Sequence, residues 1–88
     1  MAWTIDYTDT ARRSLTKLDK QAARLIVDYM TQRIGEAADP RDFGKALKGP
    51  LKAFWRYRVG DYRIICEIED QALRVLVIDL GHRRLVYG

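Results

Sequence analysis

The chain has 88 residues, of which 48% are hydrophobic and 32% charged. That composition suits one globular domain over residues 1–88 and argues against disorder. A single cysteine excludes an intrachain disulfide, one histidine excludes zinc-type ligand spacing, and no apolar run approaches the ~18–20 residues of a membrane span.

A domain of this size buries roughly 60–65% of the surface its unfolded chain exposes, so its core must be economical. Cys66 sits within Ile64-Ile65-Cys66 and reads as a small buried hydrophobe. The first residues, Met1-Ala2-Trp3-Thr4-Ile5-Asp6, lack the basic-then-apolar order of a secretory leader, so a cytoplasmic location is expected.

Net charge is +4. Residues 1–44 carry seven Lys/Arg and seven Asp/Glu; residues 45–88 carry nine and five. Between Lys45 and Arg63 there are six basic residues against one acid, Asp61. A local field of that sign favours a polyanion or an acidic protein partner.

Trp3, Ile5 and Tyr7 alternate with Thr4 and Asp6, which predicts a short strand with one buried face. Thr8 or Asp9 can cap the helix that follows, carrying Ala11, Leu15 and Leu18. Asp19 can cap a second, longer helix. Its apolar stripe is Ala22, Leu25, Ile26, Tyr29, Met30 and Ile34, and Gly35 lies near its end. Pro40 bars continuation. Residues 38–50 read as a loop.

Three strands follow. Trp55, Tyr57 and Val59 share one face of the first; Phe54, Arg56 and Arg58 share the other. Gly60-Asp61 is a two-residue hairpin signal of the type that puts glycine first. Tyr62, Ile64, Cys66 and Ile68 then oppose Arg63, Ile65 and Glu67. Asp70-Gln71 makes a tight turn. Leu73 to Leu80 is nearly all apolar, as in a strand covered on both faces. Gly81 is expected to end it. The order is β-α-α-β-β-β, an α+β fold: an antiparallel four-stranded sheet with a two-helix hairpin packed on one face. Alternation does not say which edge the first strand joins; a place beside the last strand would make the most apolar strand internal.

Strand parity carries the functional expectation. Aromatic and aliphatic side chains fix the inward face, so Arg56 and Arg58 point the other way, and the hairpin brings Arg63 near Arg58. His82, Arg83 and Arg84 follow Gly81. Guanidinium groups bind phosphate oxygens bidentately and stay charged at any working pH. Aimed at a phosphodiester, they can stabilise the charge that develops when RNA is cleaved, without a metal. The chain offers no carboxylate cluster suited to magnesium, and no cofactor is expected.

The run Trp55-Arg56-Tyr57-Arg58-Val59-Gly60-Asp61-Tyr62-Arg63-Ile64-Ile65, the loop Leu47-Lys48-Gly49-Pro50-Leu51 and the ending Gly81-His82-Arg83-Arg84-Leu85-Val86-Tyr87 resemble the RelE family of toxins over nearly the whole chain. The resemblance implies a microbial-ribonuclease-like sheet. It implies an endoribonuclease that enters the A site of the 30S subunit and cuts the mRNA codon there by 2′-OH attack on the adjacent phosphate. It also implies a RelB-like antitoxin, with operator DNA met only through the antitoxin complex.

Residue by residue, Arg56 and Arg58 match two basic strand positions, and Arg63 matches the arginine taken to stabilise the phosphorane. Arg83 matches the one taken to serve the leaving 5′-oxygen, and Tyr87 the tyrosine taken to stack on a base. Lys45, Lys48, Lys52 and Arg84 would contact RNA or ribosome. Two positions depart from the family pattern. Arg56 and Arg58 stand where many members have lysines, and Leu85 stands where a glutamate is frequent. Arginine is a poor general base at neutral pH. His82 either takes the 2′-OH proton or caps the last strand. ParE toxins share the fold and poison DNA gyrase instead, which sets the competing expectation.

Overall fold

The computed structural model describes residues 2–48 and 54–82. In chain order it holds β1 (Thr4–Tyr7), α1 (Asp9–Thr16), α2 (Lys20–Asp28), β2 (Lys45–Ala46), β3 (Trp55–Val59), β4 (Tyr62–Glu69) and β5 (Arg74–His82). The strands form one sheet in the order β1-β5-β4-β3-β2.

The meander β3-β4-β5 is antiparallel, as its turns require. Gly60 has φ +59° while Asp61 has no positive φ, which is the glycine-first hairpin geometry. The first strand does lie beside the last, but parallel to it, with Thr4 opposite Arg74 and Tyr7 opposite Val77. The sheet is therefore mixed. It also has a fifth strand: Lys45 pairs with Arg56 and Ala46 with Trp55 inside the stretch expected to be loop. Two residues are too few to show a period, so sequence pattern cannot signal such a strand.

The turn after β4 is longer than two residues. It runs to Leu73, which holds φ +49°, and its backbone N–H donates to the Asp70 carbonyl at 3.1 Å. Strand β5 thus begins at Arg74, not at Leu73. Gly81 does not end β5 either; it pairs with Arg63 inside the strand. Nor does the apolar run mean burial on both faces. Cys66 pairs with Val77 but Ile65 with Asp79, so Ile78 is an extra residue that shifts the parity of β5. Val75 and Val77 share the core face by ordinary alternation and the bulge adds Leu80 to it, while Leu76 and Ile78 stay half-buried.

Thr8 joins the bulge to α1. Its hydroxyl donates to the Ile78 carbonyl at 2.7 Å and accepts from the Ala11 N–H at 3.0 Å. One side chain therefore caps the helix and satisfies the carbonyl that the bulge displaces. Asp19 caps α2 in the same way, accepting from Ala22 N–H at 2.7 Å. Ala22, Ile26, Met30 and Ile34 are the buried residues of this helix and its extension. Their four-residue repeat overshoots the 3.6-residue turn of an α-helix. Over Tyr29–Ile34 the helix widens to π geometry, with Gly35 N–H donating to Met30 at 2.8 Å. The wider turn keeps Met30 and Ile34 in line with Ile26 against the sheet.

The segment between the helices and β3 is clamped to the sheet. Pro40 starts a single 3₁₀ turn and is buried. The Tyr57 hydroxyl donates to its carbonyl at 2.7 Å, and Trp55 Nε1 donates to the Phe43 carbonyl at 2.6 Å. Arg41 grips Asp70 through both nitrogens, at 2.9 and 2.8 Å. Gly44 takes φ +74° so close to β3 that an added Cβ would lie 2.3 Å from the Arg56 carbonyl oxygen. A side chain there meets backbone, which cannot step aside, and a left-handed φ as well. Gly44→Ala is therefore expected to destabilise by about 2 kcal/mol or more, lowering Tm by roughly 10 °C. Thermal unfolding followed by circular dichroism checks this; an unchanged Tm would show that the clamp carries no weight.

Candidate functional site

Strand β3 fixes the site. Tyr57 is fully buried and Val59 nearly so, and Trp55 packs against the same core. Arg56 and Arg58 therefore stand on the reverse face of the sheet, away from the helices. Residues directly opposite one another on paired strands share a face. Arg58 lies directly opposite Arg63, so their Cβ atoms fall about 4.5–5.5 Å apart. Lys45 lies directly opposite Arg56. Four cations on three adjacent strands thus share one face: Lys45 and Arg58 exposed, Arg56 and Arg63 half-buried.

On its other side Arg63 faces Gly81. A glycine in mid-strand carries no side chain of its own at that position, a feature of strands where a ligand or another backbone comes close. Sequence reasoning missed Gly81, treating it as a strand end; the signal was a lone glycine continuing an apolar run. Lys45 was expected to touch RNA from a loop. The structure instead seats it in a strand, across from Arg56.

His82 goes elsewhere. It pairs with Tyr62, and their rings meet edge to face with centroids 6.1 Å apart. Tyr62 packs on the core, so His82 shares the helix-side parity, one residue out of step with Gly81. The structure does not bring it onto the face of Arg56, Arg58 and Arg63. Lys48 is exposed beyond β2. Lys52, Arg83, Arg84 and Tyr87 lie outside the described residues.

Towards the far end the same face turns acidic. Glu67 and Glu69 share the parity of Arg63, and Arg74 bonds Glu69 at 2.9 Å and Asp6 at 3.3 Å. The face is polarised along β4, from arginine beside the Gly60 turn to carboxylate beside Asp70. A polyanion laid on it is attracted at one end and repelled at the other.

These features meet known proteins at several points. The family described as "ParE toxin of type II toxin-antitoxin system, parDE" matches residues 5–87. The chain belongs to this RelE/ParE family of type II toxins. Toxin RelG of Mycobacterium tuberculosis is 30% identical over 87 residues, 99% of this chain and 98% of that protein. Toxin RelE of the same organism is 31% identical over 80 residues, 91% of this chain and 80% of that protein. Among solved structures, the RelBE2 toxin–antitoxin complex of M. tuberculosis superposes with TM-score 0.87 at 29% identity, covering 94% of this chain and 93% of the other. Isolated Escherichia coli RelE gives TM-score 0.71 at 17% identity, covering 92% and 84%. At that identity only the fold is shared. The expected RelE-like α+β fold is thus the fold observed, with β2 and the parallel β1–β5 pair added.

Glu67 offers a check on the polarised face. Its carboxyl is held above the ordinary range, first by a hydrogen bond with Glu69 and then by burial. A raised folded-state value means its contribution is fully present below about pH 4, where the group is protonated even when unfolded, and is lost as pH rises through the folded value. Glu67→Gln keeps the hydrogen bond without the charge. It is expected to raise Tm at pH 7 and to leave it unchanged at pH 3.5. A parallel shift at both pH values would show that repulsion between the two carboxylates is not the cause.

Proposed function

We propose that this toxin is a ribosome-dependent endoribonuclease that cuts mRNA in the A site, and that a RelB-like antitoxin neutralises it. The supporting observation is the direct opposition of Arg58 and Arg63, with Gly81 across from Arg63 on the next strand. Two guanidinium groups so placed can hold both non-bridging oxygens of one phosphate. In the reaction, the ribose 2′-oxygen attacks phosphorus, the bond to the 5′-oxygen breaks, and a 2′,3′-cyclic phosphate and a 5′-hydroxyl remain. Negative charge grows on the equatorial oxygens as the phosphorane forms, where Arg58 and Arg63 are aimed. Arg56, with Lys45 across from it, holds the neighbouring phosphate. By resemblance, Arg83 serves the leaving oxygen and Tyr87 stacks on a codon base. The arginines do the electrostatic work that a metal ion would otherwise do.

His82 stands against Tyr62 on the other parity, so we assign it an anchoring role at the end of β5 and not that of the base. No other side chain on the described part of the arginine face titrates near neutrality without perturbation. Activation of the 2′-hydroxyl then falls to the ribosome-imposed geometry and to solvent. An in-line arrangement of reacting groups supplies much of a barrier reduction by itself.

The antitoxin assignment rests on likeness to the RelBE2 toxin–antitoxin complex over 94% of this chain. An acidic segment that folds on binding would suit the arginine face.

Primer extension on translating ribosomes is the test. Cleavage at the A-site codon is expected, and Arg63→Ala or Arg58→Ala should lower its rate about 10²–10³-fold. His82→Gln should keep most of it; a loss as large as that of Arg63→Ala, with Tm unchanged, would make His82 the base. Intact message together with accumulating gyrase cleavage complexes would replace this reading with the ParE activity. The products should carry 2′,3′-cyclic phosphates, and cleavage should persist when free divalent ions are chelated after ribosome integrity is secured.

A further inference from the structure

The charge of this chain is concentrated in a second place, away from the arginine face. Residues 12–24 contain Arg12, Arg13, Lys17, Lys20 and Arg24 against one acid, Asp19. All five cations are exposed. None of them enters the ion pairs formed by Arg41 and Arg74. The one acid accepts the Ala22 N–H as helix cap. The stretch thus carries a net charge of five minus one, +4, which equals that of the whole chain. Counting by halves hides this, because the other acids of residues 1–44 lie outside it.

The fold gathers these groups at the tip of the helix hairpin. Arg13 and Lys17 are four apart along α1 and its cap residue; Lys20 and Arg24 are four apart along α2. Each pair falls on one helix face, with Cβ atoms about 5–6 Å apart. Lys17 and Lys20 flank the turn and are separated by no more than about 10 Å of chain. Lys20, Gln21, Ala23 and Arg24 line a shallow hollow of about 410 Å³ there. Like charges at this spacing destabilise a helix. A ligand that neutralises them recovers the loss.

We propose that this hairpin tip is a second RNA-contact surface, which grips phosphates of structured ribosomal RNA while the arginine face holds the codon. The proposal rests on the ribosome-dependent function above and extends it to a surface on the opposite side of the sheet. Phosphate fits the tip better than a protein partner does. Protein interfaces centre on apolar and aromatic anchors and are depleted in lysine. The large exposed apolar side chains among the described residues are Leu25 and Leu73, and neither belongs to the tip. Leu25 turns instead to a separate hollow with Tyr29 and Phe43. Backbone recognition by Lys and Arg needs no such anchor and no base contact.

The test replaces the two pairs together: Arg13→Gln, Lys17→Gln, Lys20→Gln and Arg24→Gln, read by binding to mRNA-programmed ribosomes across a salt series. The ribosome Kd is expected to rise roughly ten-fold or more, and the slope of log K against log salt to shrink by about 3. Antitoxin affinity and the cleavage rate on saturating ribosomes should hold, and Tm should stay level or rise. Lys20→Glu alone should move Kd in the same direction. An unchanged Kd and salt slope would overturn the proposal, as would a loss confined to antitoxin binding, which would make the tip a protein surface. If the unaltered toxin binds ribosomes and the variant matches it, only the hairpin assignment fails. If the unaltered toxin does not bind ribosomes at all, both assignments fail.

Discussion

Burial of Tyr57 sets the direction of every functional side chain on β3. Its ring is fully buried, meets Tyr29 edge to face with centroids 6.2 Å apart, and its hydroxyl donates to the buried Pro40 carbonyl. Burial pushes the phenol well above its ordinary range, so it remains a neutral donor. A large aromatic with its one polar atom satisfied is a deep energetic anchor. A one-residue slip of β3 would expose this ring and drive two guanidinium groups into the core. Register is therefore enforced by the core, and the arginines take their places as a consequence.

The arginine face does not stabilise the fold; it is carried by the fold. Arg58 and Arg63 repel across the strand pair at close range, and like charges directly opposite each other are destabilising. Stability comes from the other face, where Ile26, Met30 and Ile34 cover Ile64, Cys66, Val75 and Val77. Burial also holds Cys66 far above an ordinary thiol, which keeps it inert in that layer. The segregation explains how an 88-residue chain sustains a concentrated charge: the packed core and the clustered cations use opposite surfaces of one sheet. A face of that sign also suits an acidic partner.

Much of this was legible in the residue order, for physical reasons that differ along the chain. Strand β3 alternates cleanly and β4 does so except at Ile65, which is fully buried on the arginine side, so parity and the Arg58–Arg63 neighbourhood followed at once. The caps Thr8 and Asp19 announced both helices. Strand β5 was harder. An almost unbroken apolar run contains no parity, so nothing marked Ile78 as an extra residue. That bulge decides the faces of Gly81 and His82. Reading His82 as a neighbour of the arginines ignored the alternation that holds once Gly81 is inside the strand. The two-residue β2 and the left-handed Leu73 were illegible for another reason: pairing partners and turn geometry far from glycine impose them. The π turn was not legible either: Ala22, Leu25, Ile26, Tyr29, Met30 and Ile34 read as an ordinary helical stripe, and the widened turn shows only in the Gly35 N–H bond to Met30.

The placement of His82 bears on how such a toxin is controlled. On the proposed reading, an arginine face whose described residues include no near-neutral base would be a poor catalyst for an RNA strand that is free to flex, because the 2′-oxygen must still find its line of attack. The same site becomes effective when another body supplies that geometry. On the proposed reading, dividing the work in this way would spare bulk RNA and confine cleavage to a codon already fixed by decoding. The polarised reverse face limits where a strand could lie, since Glu67 and Glu69 repel phosphates at its far end. Binding strength is then best placed where it does not interfere with codon fit. The phosphate grip proposed for the hairpin, across the sheet from the arginines, would provide affinity without constraining which three bases lie against them.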